Sequence, residues 1–385
     1  MRKVSRSAAT TEGEGSATIE LMRFQVSASS TRPALRRALP ALLLSAGLLV
    51  AACGGGDAKA PETSAPETTS PETTAADTSV PETTEAATTT TEAPAPAWPL
   101  TGEPLDDMAK ADHPAVVVKV GNYDRHPQRG SVNADIIYEE IINANVSRFA
   151  FVFHSKSAAE VGPIRSGRRQ DVDLFGSLNK PVFAWAGGNK TVVAEVRNSD
   201  LVDLSQSRCQ NTCYRSGDDS PVEFTLMFNV DKVFALTFEE AGVPQPQFAY
   251  LKAGEQPAGK ASAGVNLNME SYKVEWTWNA DSKIYERTQN GRDDNDRDGT
   301  RLTTNNVVIL AMTYLPGISG SPDAQSTGKG EAFVFTGGKY VHGTWERAAR
   351  TDAFTLTDDD GNVIELTPGR TFIELPRDGN TLPKG

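Results

Sequence analysis

The stretch Ser147-Arg148-Phe149-Ala150-Phe151-Val152-Phe153-His154 decides the fold. Neighbouring side chains on a strand point to opposite faces, so Phe149, Phe151 and Phe153 share one face and Ala150 and Val152 the other. Both faces are apolar, which predicts a strand inside a sheet covered on both sides. Upstream, His113 to Val120 reads as a second strand of the same kind. A polar loop from Asn122 to Ser131 follows, with Pro127 and Gly130. Asn133 to Ile142 then reads as a helix. Asn133 suits its N-cap, Val132 and Ile137 a staple, and Asp135 the first turn. Ile137, Tyr138, Ile141 and Ile142 recur at helical spacing. Downstream, Asp171 to Asn179 predicts a short helix, Pro181 to Ala186 a third buried strand, Thr191 to Arg197 a helix and Asn229 to Ala241 a last helix. Strands alternating with helices predict an α/β layered unit with a partly parallel sheet.

Past Pro244, Pro246, Gly254, Pro257 and Gly259 the hydrophobic period changes to two. Tyr272 to Trp278 alternates. Short strands are also expected at 283–288, 306–312, 332–335, 340–346, 353–356, 363–366 and 371–375. Gly337-Gly338 and Asp360-Gly361-Asn362 suit tight hairpins. The fold class expected is α+β: an N-terminal α/β layered domain over 98–243, a linker over 244–261, and a mainly antiparallel β domain over 262–385.

The chain has 385 residues and a formal charge of −12, with 50 Asp and Glu against 38 Lys and Arg. That balance argues against a nucleic-acid partner, which would call for a basic face. Four histidines and three cysteines leave little material for a zinc cluster. No cofactor is expected, calcium being the one candidate ion.

Residues 1–52 read as an N-terminal extension and signal peptide. Arg32, Arg36 and Arg37 precede an apolar core from Leu39 to Val50, and small residues follow in Val50-Ala51-Ala52-Cys53. A charged start, a short apolar core and a small-residue cut site describe a secretory signal. A membrane span would need about 20 apolar residues. The junction resembles the bacterial lipobox, which implies that Cys53 is diacylated and becomes the mature N-terminus. The expected location is extracytoplasmic, lipid-anchored to the bacterial cell membrane. Residues 53–97 then form a tether in which Pro61, Pro66, Pro71 and Pro81 each open a Pro-Glu-Thr unit. So little apolar surface cannot offset the entropy of ordering, and the tether is expected to be disordered and extended.

Ala134-Asp135-Ile136-Ile137-Tyr138-Glu139, Arg148-Phe149, Gly162-Pro163-Ile164-Arg165-Ser166-Gly167-Arg168 and Trp185-Ala186-Gly187-Gly188 together resemble the N-terminal domain of the YerB-type lipoprotein family. Asn306-Val307-Val308, Gly343-Thr344-Trp345 and Pro368-Gly369-Arg370-Thr371 resemble its C-terminal domain. The likeness covers most of Asp112 to Leu375. It implies a two-domain lipoprotein and carries no known activity. Where such proteins tend to have Pro-His-Asn, this chain has Pro221-Val222-Glu223.

The candidate ligand site centres on Arg165, Ser166, Arg168 and Arg169. Guanidinium forks bind carboxylate or phosphate. The alternative is internal pairing with Glu139, Glu140, Asp171 and Asp173. Gly187, Gly188 and Asn189 end a buried strand and open a helix, and with Asn122 and Glu139 they complete the candidate set. Asp294, Asp296, Asp298 and Gly299 match the opening of a calcium loop. The twelfth position, however, is Asn305 and no helices flank the loop, so a solvated hairpin loop is the first reading. Cys209 and Cys213 are expected to form a disulfide in an oxidising exterior. No Gly-x-Ser-x-Gly elbow or His-Glu-x-x-His is present. The chain therefore reads as an envelope lipoprotein that binds an anionic small molecule or cell-wall component. The rivals are a wall-acting hydrolase or transferase, and a scaffold for another envelope protein.

Overall fold

The computed structural model describes residues 95–377 and 379–384; Cys53 and the tether lie outside them. The centre is the phenylalanine strand. We label the main strands β1 Val116–Gly121, β2 Ile136–Ile142, β3 Val146–Phe153, β4 Val182–Ala184, β5 Val202–Asp203, β6 Gly264–Met269, β7 Tyr272–Asn279, β8 Ile284–Gln289, β9 Asn306–Leu310, β10 Gly328–Thr336, β11 Lys339–Arg347, β12 Thr355–Asp358, β13 Thr371–Leu375 and β14 Thr381–Lys384. The helices are α1 Arg169–Leu174, α2 Lys190–Asn198 and α3 Val230–Phe234.

One mixed sheet runs β12-β11-β10-β9-β13-β2-β3-β1-β4-β5, with Lys260–Ala261 pairing onto β11. Phe151 sits between Val118 of β1 and Ile137 of β2. The pairs β1–β4, β4–β5, β2–β13 and β9–β13 are parallel, while β1–β3, β2–β3, β9–β10 and β10–β11 are antiparallel. Strand β13, near the C-terminus, thus joins the strands of both halves. A second, antiparallel sheet runs Arg292–Asp293, β8, β7, β6, β14. The chain is α+β, mixed in its first half and mainly antiparallel in its second.

Both faces of the large sheet are covered, as the phenylalanine strand required. Phe149, Phe151 and Phe153 pack in one core with Val265, Trp276 and Tyr285 of the second sheet. Ala150 and Val152 face a second core that includes Leu174, Phe175, Val192, Val196 and Trp345. Each wholly buried phenylalanine contributes roughly 2–3 kcal/mol by leaving water. The β10–β11 hairpin turns on Gly337 and Gly338, with φ of 54° and 76°. Positive φ at both central residues is what a two-residue hairpin turn needs and what glycine supplies cheaply.

The segment expected as a helix over Asn133–Ile142 is a strand. Asn133 closes a 3-10 turn over Ser131–Asn133, and all seven residues of β2 are buried. A run apolar on both faces satisfies helical spacing and a doubly covered strand equally well, and four isoleucines in the strand's seven positions favour the pleated choice. Asp135 does not sit at a helix N-terminus. It accepts N–H bonds from His154 and Ser155, both at 2.6 Å. The last helix of the first half is shorter than expected, stopping at Phe234.

Candidate functional site

The Arg165 segment is strapped across two parallel strands. The Arg165 N–H donates to the Lys119 carbonyl of β1 at 2.8 Å, and the Arg165 carbonyl accepts from Ala186, just past β4, at 2.8 Å. Its side chain lies between two rings, with Cζ 4.9 Å from the Tyr123 centroid and 4.7 Å from Phe224. Nε donates to the Tyr123 hydroxyl at 3.0 Å and Nη1 to the Glu223 carbonyl at 2.8 Å. Arg148, at the start of β3, donates Nη1 to the Ser166 carbonyl at 2.8 Å. Arg168 donates to Asn143 Oδ1 and to its neighbour's carbonyl at Gly167, both at 2.9 Å. An added Cβ at Gly167 would lie 3.0 Å from the Trp185 ring, a tight approach that the glycine avoids.

Among the described residues, none of Arg148, Arg165 and Arg168 has a carboxylate ion pair. The acids that could have quenched them are engaged elsewhere. Adjacent residues Glu139 and Glu140 point to opposite faces of β2. Glu140 and Asp171 both hold the buried Lys119, Asp171 at 2.8 Å. Burial, only partly offset by Asp171, pulls that ammonium down to about 8. Asp171 also accepts the Arg168 backbone N–H at 2.6 Å. Asp173 pairs with Arg169 and, at 3.6 Å, with Arg350. Burial, with Arg168 and Arg165 alongside, pulls the Arg148 guanidinium down to about 10. Burial likewise lowers Arg168. Positive charges crowded in this way are relieved by an anion.

The remaining candidates fall in two other places. Arg168, Arg169 and Asn189 line a small cleft of about 120 Å³ together with Asn143 and Asp323. Asn189 caps α2 by accepting from Thr191 at 2.8 Å, and Gly187 and Gly188 make the turn before it. Asn122 and Glu139 belong instead to a buried network between the sheets. Asn122 donates to Glu139 at 3.0 Å, Ser147 at 2.9 Å and Gln289 at 2.9 Å. At its centre Arg287, wholly buried, pairs with Glu139 and Asp294 and lies 3.6 Å from Glu374. Burial alone would lower this guanidinium, but the three carboxylates more than reverse it. Glu374, desolvated and beside Glu139, is held well above the usual carboxylate range.

The three aspartates face different partners. Asp294 holds Arg287 and accepts from Gln128 at 3.2 Å. Asp296 accepts from the Ser131 N–H at 2.9 Å, and burial pushes it up to about 6. Asp298 is exposed and accepts from Thr300 at 2.9 Å. Among the described residues no three His, Cys, Asp or Glu side chains form a group that could hold a metal ion. Cys209 and Cys213 form a disulfide with Cα atoms 5.6 Å apart, an ordinary separation.

Residues 100–243 match the family described as "Protein of unknown function (DUF3048) N-terminal domain", and residues 264–373 match its C-terminal domain. The chain belongs to the DUF3048 family. It is 21% identical over 289 residues to the Bacillus subtilis (strain 168) protein named "Putative lipoprotein YerB", covering 73% of this chain and 86% of that one. The crystal structure of YerB protein from Bacillus subtilis shares the fold, with a TM-score of 0.66 at 19% identity over 75% of this chain and 99% of that one. Among the described residues of this DUF3048 chain, no helix is long and apolar enough to cross a membrane.

Sequence reasoning missed Arg148, Tyr123 and Phe224. The signal for Arg148 was there: one arginine at the mouth of an otherwise apolar strand. Tyr123 and Phe224 lie 101 positions apart and meet only in the fold.

Proposed function

We propose that this chain is an extracytoplasmic lipoprotein, anchored to the cell membrane through a lipid on Cys53, whose folded head binds an anionic ligand at Arg148, Arg165 and Arg168. The observation that carries the binding reading is the gathering of three guanidiniums without a carboxylate ion pair while Glu139, Glu140, Asp171 and Asp173 are engaged by other cations. Two aromatic rings hold Arg165 in place, so little side-chain entropy remains to be lost on binding. The lipobox at Val50-Ala51-Ala52-Cys53 and the similarity to a relative named as a lipoprotein support the anchor. Glu139 and Glu374 make an acid pair, but both are wholly buried against Arg287 and serve the fold. A polar cleft beside Tyr123 favours a small ligand over a docking scaffold.

The test uses the full-length protein in detergent. Titration calorimetry with sulfate should show binding that the double change Arg165→Ala with Arg168→Ala abolishes. Absence of sulfate binding by the wild type, or equal binding by the double variant, overturns the ligand reading. For the anchor, Cys53→Ala should leave the protein unprocessed or release it from membranes. Unchanged processing and membrane retention would overturn that half.

A further inference from the structure

Lys119 is the one buried lysine among the described residues. Strand β3 lies between β1 and β2, and Ala150 of β3 stands opposite Lys119. So small a side chain lets the lysine stem pass over β3 toward β2. Residues two apart on a strand share a face, so Glu140 shares that of Tyr138, the β2 partner of Ala150. There Nζ meets two acids. It donates to Glu140 Oε1, and to Asp171 Oδ1 at 2.8 Å. All three side chains are 0% exposed. The same face carries Val117, Tyr138 and Ala150 of the apolar core.

The two acids differ. Both oxygens of Asp171 are used, Oδ1 by Lys119 and Oδ2 by the Arg168 backbone N–H at 2.6 Å. Glu140 keeps Oε2 buried with no hydrogen-bond partner. A bare anionic oxygen is costly there, and the hydroxyl of a neutral acid costs less. Passing one proton from Nζ to Glu140 leaves an amine against a carboxylic acid. Burial, reinforced by Arg148 and Arg168 and opposed by Asp171, pulls the ammonium down to about 8, which brings the nucleophilic amine within reach. An amine, a neutral acid and a carboxylate held together away from water are the reactants and the base of an amide condensation. Arg287 also lies among acids, but its guanidinium stays protonated and does not attack.

We propose that Lys119 and Glu140 join in an intramolecular isopeptide bond, with Asp171 carrying the proton. Nζ attacks Cδ of Glu140, and the N–C bond forms as the carbonyl opens. Asp171 takes one proton from the nitrogen and hands it to the departing Oε2 hydroxyl. The carbonyl re-forms, the Cδ–Oε2 bond breaks and one water leaves. An amide replaces an ion pair, so the net charge of the three groups is unchanged and Asp171 keeps the amide N–H as its donor. No acid is released toward Arg148, Arg165 and Arg168, and the proposal stands apart from the anion reading. The bond fastens β1 to β2 across β3.

Tryptic mapping of the full-length protein, reduced and denatured, reads the bond directly. Trypsin does not cut after an acylated lysine. Residues 111–125 should therefore be recovered joined to 130–148, lighter by one water than the two peptides together, with fragmentation placing the link at Glu140. Separate peptides with cleavage after Lys119 overturn the proposal, and this result needs no variant. A link from Lys119 to Asp171 overturns the roles given to the two acids. Asp171→Asn, shown to be folded by circular dichroism, should form the link roughly 100-fold more slowly, the usual loss when a proton-transfer group is removed, and yield mostly unlinked peptides when freshly made. Linking at the wild-type rate in that variant overturns the part assigned to Asp171.

Discussion

Arg287 and Arg165 make an informative pair. Each lies against aromatic rings: Arg287 is 5.4 Å from both Phe149 and Phe372, and Arg165 is 4.7 Å from Phe224. What separates them is the carboxylates. Arg287 is wholly buried between the sheets, with Glu139, Asp294 and Glu374 around it. Arg165 is half-buried at the rim, has no carboxylate ion pair, and has like charges beside it at Arg148 and Arg168. The chain gathers three acids around one cation and gives Arg148, Arg165 and Arg168 no carboxylate ion pair among the described residues. The unpaired cluster is what the proposed anion would neutralise. The contrast also weighs burial against pairing, because stacking on aromatic rings is common to both sites and decides nothing.

The largest effect expected is at Arg287. Arg287→Ala leaves three desolvated carboxylates uncompensated and should cost about 3–5 kcal/mol in urea unfolding. Arg165→Ala should cost about 1 kcal/mol or less in the same assay, because no acid is stranded and a like charge is removed. Equal losses at the two positions would erase the distinction between architecture and site. The smallest effect belongs to an exposed group that resembles Arg287 in being flanked by acids. His342 Nδ1 lies 2.8 Å from Asp359 and Nε2 2.9 Å from Glu331, hydrogen bonds that raise its pKa. A raised folded pKa stabilises fully below the ordinary histidine value of about 6.5 and loses that contribution as pH rises through the folded value. Solvent screening holds it well under about 1 kcal/mol. The Tm difference between wild type and His342→Ala should therefore appear at pH 5.5 and vanish by roughly pH 9, above the histidine titration range. A difference that grows with pH would contradict the assigned ion pairs.

How much of this was legible in the sequence depends on distance along the chain. The period-two strands of the second half and the Gly337-Gly338 hairpin were legible because their partners are neighbours. The phenylalanine strand announced its two covers without saying what they were. Strand β2 was misread because Ile137, Tyr138, Ile141 and Ile142 satisfy two periods at once, and only the partners on either side choose between them. Arg165 and Arg168 stood out as a local excess of charge. Whether Glu139 quenched them was not legible, since its partner Arg287 lies 148 residues away. The three aspartates looked like one loop motif, but two of them reach across to partners in the first half of the chain.

Strand β13 has a consequence for the order in which the chain can assemble. It is the parallel neighbour of both β2 and β9, yet it follows β2 by more than two hundred residues. Until it arrives, β2 carries an open row of backbone donors and acceptors on an apolar strand, the kind of edge that recruits other chains. Closing the sheet must wait for contacts spanning more than two hundred residues, which slows folding and lengthens the exposure of that edge. A chain stopped short of Thr371 would therefore lack the strand that seals its centre.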